Sequence, residues 1–162
     1  MAETKKMLTH YLKQLKIIVS KVPPTIYHYS LSDGMFSLEM HAKIASNFAL
    51  RGYCPLLNVE TVSFYKDEDG EKAILNQIDE TVIYLENAPD INKYDDSKVI
   101  TDKAGFAEVK LCQSEFINMY IVPNLLFHMS MVYAIAKANG AELGKGDFDG
   151  LHVYPKDFSF IK

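Results

Sequence analysis

Apolar residues recur with helical period in four stretches of this chain. Leu8, Leu12, Leu15, Val19 and Val22 follow one another at steps of four and three, which puts them on one face of a helix. Lys5, Lys6, Lys13, Lys16 and Lys21 mostly fall elsewhere on it. Pro23-Pro24 stops this first helix, because proline lacks the N–H and strikes the preceding turn. A loop from Thr25 to about Gly34 follows, and Ser32 or Asp33 is placed to cap a second helix over about Met35 to Arg51. Its stripe is Leu38, His41, Ala45 and Phe48, and Gly52 stands where a glycine ends a helix.

Tyr53 to Asp69 reads as a connection. The third helix runs from about Gly70 to Asn87 with Ile74, Ile78, Val82 and Leu85 inward, and Pro89 closes it. Lys98–Thr101 and Phe106–Leu111 are extended in character around an Asp102-Lys103-Ala104-Gly105 turn, which predicts a short β-hairpin. Ser114 is placed to cap a last helix that reaches Asn139 before Gly140, with Pro123 kinking or restarting it. Leu125, His128, Val132 and Ile135 share a face beyond Pro123. Each of these helices needs a partner for its apolar face, so a single all-α four-helix bundle over 1–162 is the economical fold.

Composition narrows the function classes. The chain carries 17 basic and 21 acidic residues for a net charge of -4, without the basic stripe of a nucleic-acid binder. No unbroken apolar run approaches the roughly 20 residues of a membrane span, and no signal sequence, glycosylation sequon or lipidation motif is present. Cys54 and Cys112 are far apart and outside any CxxC pair, so two reduced thiols in a cytoplasmic protein are the expectation.

Two stretches carry a family resemblance: Asp33-Gly34-Met35-Phe36-Ser37-Leu38, and Pro123-Asn124-Leu125-Leu126-Phe127-His128 continuing through Tyr133-Ala134-Ile135, Asn139-Gly140 and Leu143-Gly144-Lys145-Gly146-Asp147-Phe148. Together they resemble an uncharacterised family of bacterial and fungal proteins related to the DinB/YfiT-like helical bundles. Gly34 and Ser37 depart from that family's Asp-Met-Phe-Pro-Leu form. The resemblance implies an up-down-down-up bundle with a hairpin before the last helix, often assembled as a homodimer. Many DinB-like relatives hold a divalent metal with three histidines, and some are thiol transferases. The most similar family brings no established activity.

The candidate chemistry centres on His41 and His128, each on the inward stripe of its helix. Converging imidazoles suit zinc, nickel or iron. The relatives' H-x-x-x-H pair is broken here, however, with Asn124 and Val132 flanking His128, and neither Gln113 nor Glu115 stands in as third ligand. The expectation is therefore no cofactor, with His41 and His128 the candidates should a divalent metal bind. In a metal-free pocket His128 serves as acid or base, with Tyr120, Tyr133 and Asn124 near it. The glycine-rich tail either brings Lys145 and Asp147 to a pocket mouth or, the preferred reading, caps the core with Leu143 and Phe148. Tyr154, Phe158 and Phe160 suit packing or dimer contacts.

Phosphate and calcium loops fail on spacing. Gly140-x-x-x-Gly144-Lys145-Gly146 is one residue short, and the bidentate glutamate positions fall on Lys156 and Asn76. Two functional expectations remain. One is a small molecule bound between helices two and four at His41, Asn124, His128, Lys145 and Asp147, with enzymatic activity left open. The other is a non-catalytic dimeric binding or scaffold protein whose histidines are structural.

Overall fold

The first apolar stripe forms α1 over Glu3–Ser20, and Pro23-Pro24 turn the chain into a single 3-10 turn at Pro24–Ile26. These elements belong to a computed structural model that describes residues 3–155, 158, 159 and 161. Phe160 and Lys156 lie outside the described residues. Helices α2 (Leu38–Leu56), α3 (Glu71–Asn87) and α4 (Gln113–Ala138), with a hairpin of β1 (Val99–Ala104) and β2 (Ala107–Cys112) before α4, complete the bundle. Every stripe residue predicted for the four helices is buried, His41 and His128 included.

Side-chain bonds between helices set their directions. Lys5 reaches the Ala88 carbonyl and Lys16 reaches Asp79 at 2.6 Å, so α1 and α3 run antiparallel. Gln77 Nε2 donates to the Lys43 carbonyl at 3.0 Å and Tyr53 donates to the Pro89 carbonyl at 2.7 Å, so α2 and α3 run parallel. His41 meets His128 and Gly52 meets Ile121, so α2 and α4 are antiparallel. The result is up-down-down-up, with the 57–70 segment making the long crossover.

Several boundaries differ from the sequence expectation, each for a tertiary reason. The cap of α2 is Ser37, whose hydroxyl accepts the Met40 N–H at 3.3 Å, and not Ser32 or Asp33. Helix α2 does not stop at Gly52; it continues through Pro55 to Leu56. Extension buries Tyr53, Cys54 and Leu56, while a proline in the last turn forfeits only one N–H. Gly52 is instead a contact point. A Cβ there would lie 2.5 Å from Ile121 Cγ2, so glycine lets α4 pack on the α2 backbone. Replacing Gly52 with alanine pits a gain in helix propensity of about 0.5–1 kcal/mol against an overpacking cost of about 1–3 kcal/mol. We expect net destabilisation in urea unfolding, relieved by Ile121→Ala; a more stable Gly52→Ala protein would contradict this contact.

The hairpin turn moves two residues from the predicted place, to Gly105-Phe106. Asp102 and Lys103 stay in β1 because Arg51 on α2 holds both: its Nε donates to Asp102 at 2.6 Å and its terminal nitrogen to the Lys103 carbonyl. Val109 and Leu111 are half-buried and Glu108 and Lys110 exposed, the alternation expected of β2. Ser114 does not cap α4 with its own side chain. Its N–H and hydroxyl both donate, at 2.9 Å, to the Asp96 carboxylate.

Pro123 marks an interruption within α4, as expected: a π-helical segment, Phe116–Ile121, precedes it and widens the turn its ring would strike, and α-helical geometry resumes at Val122 with the proline in its first turn. Helix α4 has the length and mean hydropathy, 1.4, of a membrane span, which counting unbroken apolar runs overlooked. Half of that window is buried against the rest of the bundle, as befits a core helix.

The tail folds back as a short α5 (Lys145–Asp149) on α1. Phe148 sits between Tyr11 and Tyr133, and Leu143 is buried, so the tail caps the core as preferred.

Candidate ligand-binding site

His41 lies in the first turns of α2, after the Ser37 cap, and His128 lies midway along α4. Antiparallel packing brings their rings together, with Nδ1···Nδ1 2.8 Å. One ring donates its N–H and the other accepts. Burial pushes the pKa of both imidazoles below the ordinary 6.5. For His128 burial and then the neighbouring His41 lower it to about 4, so the pair is neutral at physiological pH.

Aromatic rings enclose the pair. Phe36 and Phe127 meet His41 edge-on at centroid distances of 5.9 and 6.2 Å, and Phe48 stacks on His128 at 5.8 Å. Gly34, Met35, Phe36, His41, Phe127 and His128 line a cavity of about 270 Å³. Its walls carry no charged side chain. His41 Nε2 is buried and has no hydrogen-bond partner. The Gly34-Met35-Phe36 segment of the cavity wall was not among the predicted site residues; its apolar pair just ahead of α2 was the available signal, and reads equally as loop packing.

The other predicted residues lie outside this lining. Asn124 sits one turn before His128, and its amide donates to the Tyr120 carbonyl at 2.7 Å. Tyr120 meets Phe48 edge-on at a centroid distance of 6.0 Å, and its hydroxyl is engaged with Arg51 and the Lys103 carbonyl, each at 2.9 Å. Burial chiefly, with Asp102, raises its pKa above 10 while Arg51 opposes, so it stays protonated. Tyr133, Lys145 and Asp147 belong to the α1/α5 side. There Asp147 pairs with Lys21 at 2.7 Å, and burial followed by Asp147 raises the Tyr133 pKa.

The relatives' three-histidine metal centre does not fit these residues. Tetrahedral zinc with Zn–N near 2.0–2.1 Å would hold two nitrogens roughly 3.3 Å apart, whereas these Nδ1 atoms are 2.8 Å apart and hydrogen-bonded to each other. Among the described residues no three His, Cys, Asp or Glu side chains gather in a metal-binding group. Both cysteines are free thiols; Cys54 is buried, 3.9 Å from the Tyr84 hydroxyl. Transfer of the shared proton along Nδ1–H···Nδ1 alone would leave an imidazolate beside an imidazolium, so a relay through the pair needs a proton supplied at one Nε2 and taken up at the other. Among the described residues no carboxylate is hydrogen-bonded to either ring.

The fold is that of a DinB-like four-helix bundle, with the His41–His128 pair between α2 and α4. A crystal structure of a DinB family member from Shewanella denitrificans superposes with TM-score 0.77, 24% identity and coverage of 93% of this chain and 92% of that one. The sequence profile of the domain of unknown function DUF1993 matches residues 1–149, and the chain belongs to that family. No curated protein matches the sequence.

Proposed function

We propose that this protein binds a small, mainly apolar molecule in the cavity between α2 and α4. The observation that carries the reading is the cavity of about 270 Å³ lined by Gly34, Met35, Phe36, His41, Phe127 and His128. A ligand there covers the exposed rings of Phe36 and Phe127, which are 55% and 52% accessible, with His128, 8% exposed, as its polar group. Aromatic walls with a single polar anchor are the usual make-up of small-molecule pockets.

An NMR fragment screen tests this reading. Binders are expected to shift the signals of Phe36, His41, Phe127 and His128 together. His128→Leu, checked for folding by thermal melting, should weaken them by about tenfold, the effect of losing one well-placed hydrogen-bonding group. If no fragment moves these signals, and His41→Ala and His128→Ala only lower stability, the histidines are structural and the scaffold reading replaces this one.

A further inference from the structure

Helix α3 carries a second stripe besides its inward one. Glu80, Ile83, Tyr84 and Asn87 follow one another at helical spacing, on a face distinct from Ile74, Ile78, Val82 and Leu85. The carboxylates that α3 gives to α1 are others, Asp79 and Glu86, held by Lys16 and Lys13 at 2.6 and 2.7 Å.

The 57–70 crossover passes this stripe without closing on it. It is anchored on α2, where Ser63 donates to Asn47 at 2.9 Å and Lys43 holds the Glu68 carbonyl. Phe64 meets the Tyr84 ring edge-on at a centroid distance of 6.2 Å. A cavity of about 650 Å³ is left, with Leu57, Val59 and Phe64 on the crossover side and Ile83 and Tyr84 on α3. That is an ordinary size for a small-molecule site. It shares no lining residue with the histidine cavity.

The walls are apolar and uncovered: Ile83 is 58% and Val59 46% exposed. Half-buried Glu80 is the one charged side chain among the described lining residues. Among the described residues no basic side chain pairs with it. Asn87 spends its amide on the Ile83 carbonyl at 2.9 Å.

These features sort ligands by charge. An anion would be set against Glu80. A neutral apolar molecule would cover the walls but strip water from the carboxylate without replacing its hydrogen bonds. An ammonium on an apolar body supplies both the donors and the carbon surface. We propose that this second cavity binds an amphipathic cation, a small aryl- or alkylammonium whose charged end pairs with Glu80 while its apolar body lies between Val59 and Ile83. The proposal is independent of the ligand-binding reading above.

Titrating phenethylamine, phenethyl alcohol, phenylacetate and methylamine separately into the full chain, followed by NMR, tests it. Phenethylamine is expected to shift the methyl signals of Val59 and Ile83. It is expected to bind at least about tenfold tighter than phenethyl alcohol, the effect of one charge-assisted hydrogen bond. Glu80→Gln is expected to remove that preference and leave the fold intact. Equal affinities for the amine and the alcohol would overturn the proposal, as would tightest binding of phenylacetate. Methylamine binding as tightly as phenethylamine would reduce the effect to surface charge and overturn it too. Shifts confined to Phe36 and Phe127 would put the ring in the histidine cavity instead. Shifts of Val59 and Ile83 that follow protein concentration without ligand would give this face to a second copy of the chain. Either result, or saturable binding of none of the four, would overturn the proposal. Should Glu80→Gln fail to fold, the amine and alcohol affinities of the unaltered chain decide the matter.

Discussion

Replacing Lys43 with methionine is expected to destabilise the protein by about 3–5 kcal/mol, the usual consequence of stranding one member of a buried ion pair. Lys43 and Glu39 stand one turn apart on α2, 3.1 Å from each other, with side chains 4% and 5% exposed. Lys43 Nζ also donates to the Glu68 carbonyl at 2.5 Å, and Glu39 accepts the Gly70 N–H at 2.9 Å. The pair therefore clamps the end of the 57–70 crossover, where acidic Asp67-Glu68-Asp69 approaches the bundle. Methionine retains the apolar stem and removes the charge, leaving the buried Glu39 carboxylate with the Gly70 N–H and, 3.8 Å away, the largely exposed His28 ring. A double variant, Glu39→Gln with Lys43→Met, is expected to recover more than half of the loss, because no uncompensated charge remains. Urea unfolding of the wild type, Lys43→Met, Glu39→Gln and the double variant measures the coupling directly. A double variant no more stable than Lys43→Met would refute the charge-stranding explanation.

The second large effect is a loss of stability on mild acidification. The folded-state pKa of His128 lies at about 4, against the ordinary 6.5. The folded state thus prefers the neutral ring, and the unfolded chain takes up the proton first. Stability is fully present above pH 6.5 and declines as pH falls from there towards about 4. The difference between the two pKa values sets an upper limit of about 3 kcal/mol. His41, also lowered by burial, acts in the same direction.

Carboxylates with depressed pKa, among them Asp147 and Asp149, also lose stability in acid, but from their ordinary 3.8 downwards. The window between pH 4 and 6.5 therefore belongs mainly to the histidines. Urea midpoints measured from pH 7.5 to 4.5 should fall steeply in the wild type and much less in His128→Leu. Equal slopes would show that the pair is not the source.

Much of the fold was legible because helix faces and strand faces are local properties of sequence. The stripes beginning at Leu8, Leu38, Ile74 and Leu125 needed only a period of 3.6 residues, and all four are buried. What local reading misjudged were positions with two meanings. Gly52 is a common helix stop in isolation, yet here it is the place where Ile121 packs against backbone. Asp102-Lys103 looks like turn sequence until Arg51 holds it in a strand. Ser114 looks like a cap until Asp96 takes its hydrogen bonds.

The candidate site divides the same way. By itself the sequence determined that His41 and His128 face inward, since each follows from its own helix period, and it determined that the relatives' H-x-x-x-H pattern is interrupted at Asn124 and Val132. Only the tertiary structure decided that the two rings, 87 residues apart, meet through their Nδ1 atoms and leave His41 Nε2 unpaired beside an aromatic cavity. Periodicity specifies the face from which a side chain leaves its helix. The distance and angle at which two side chains meet depend on how closely the helices approach, which here rests on a glycine and a widened helical turn far along the chain.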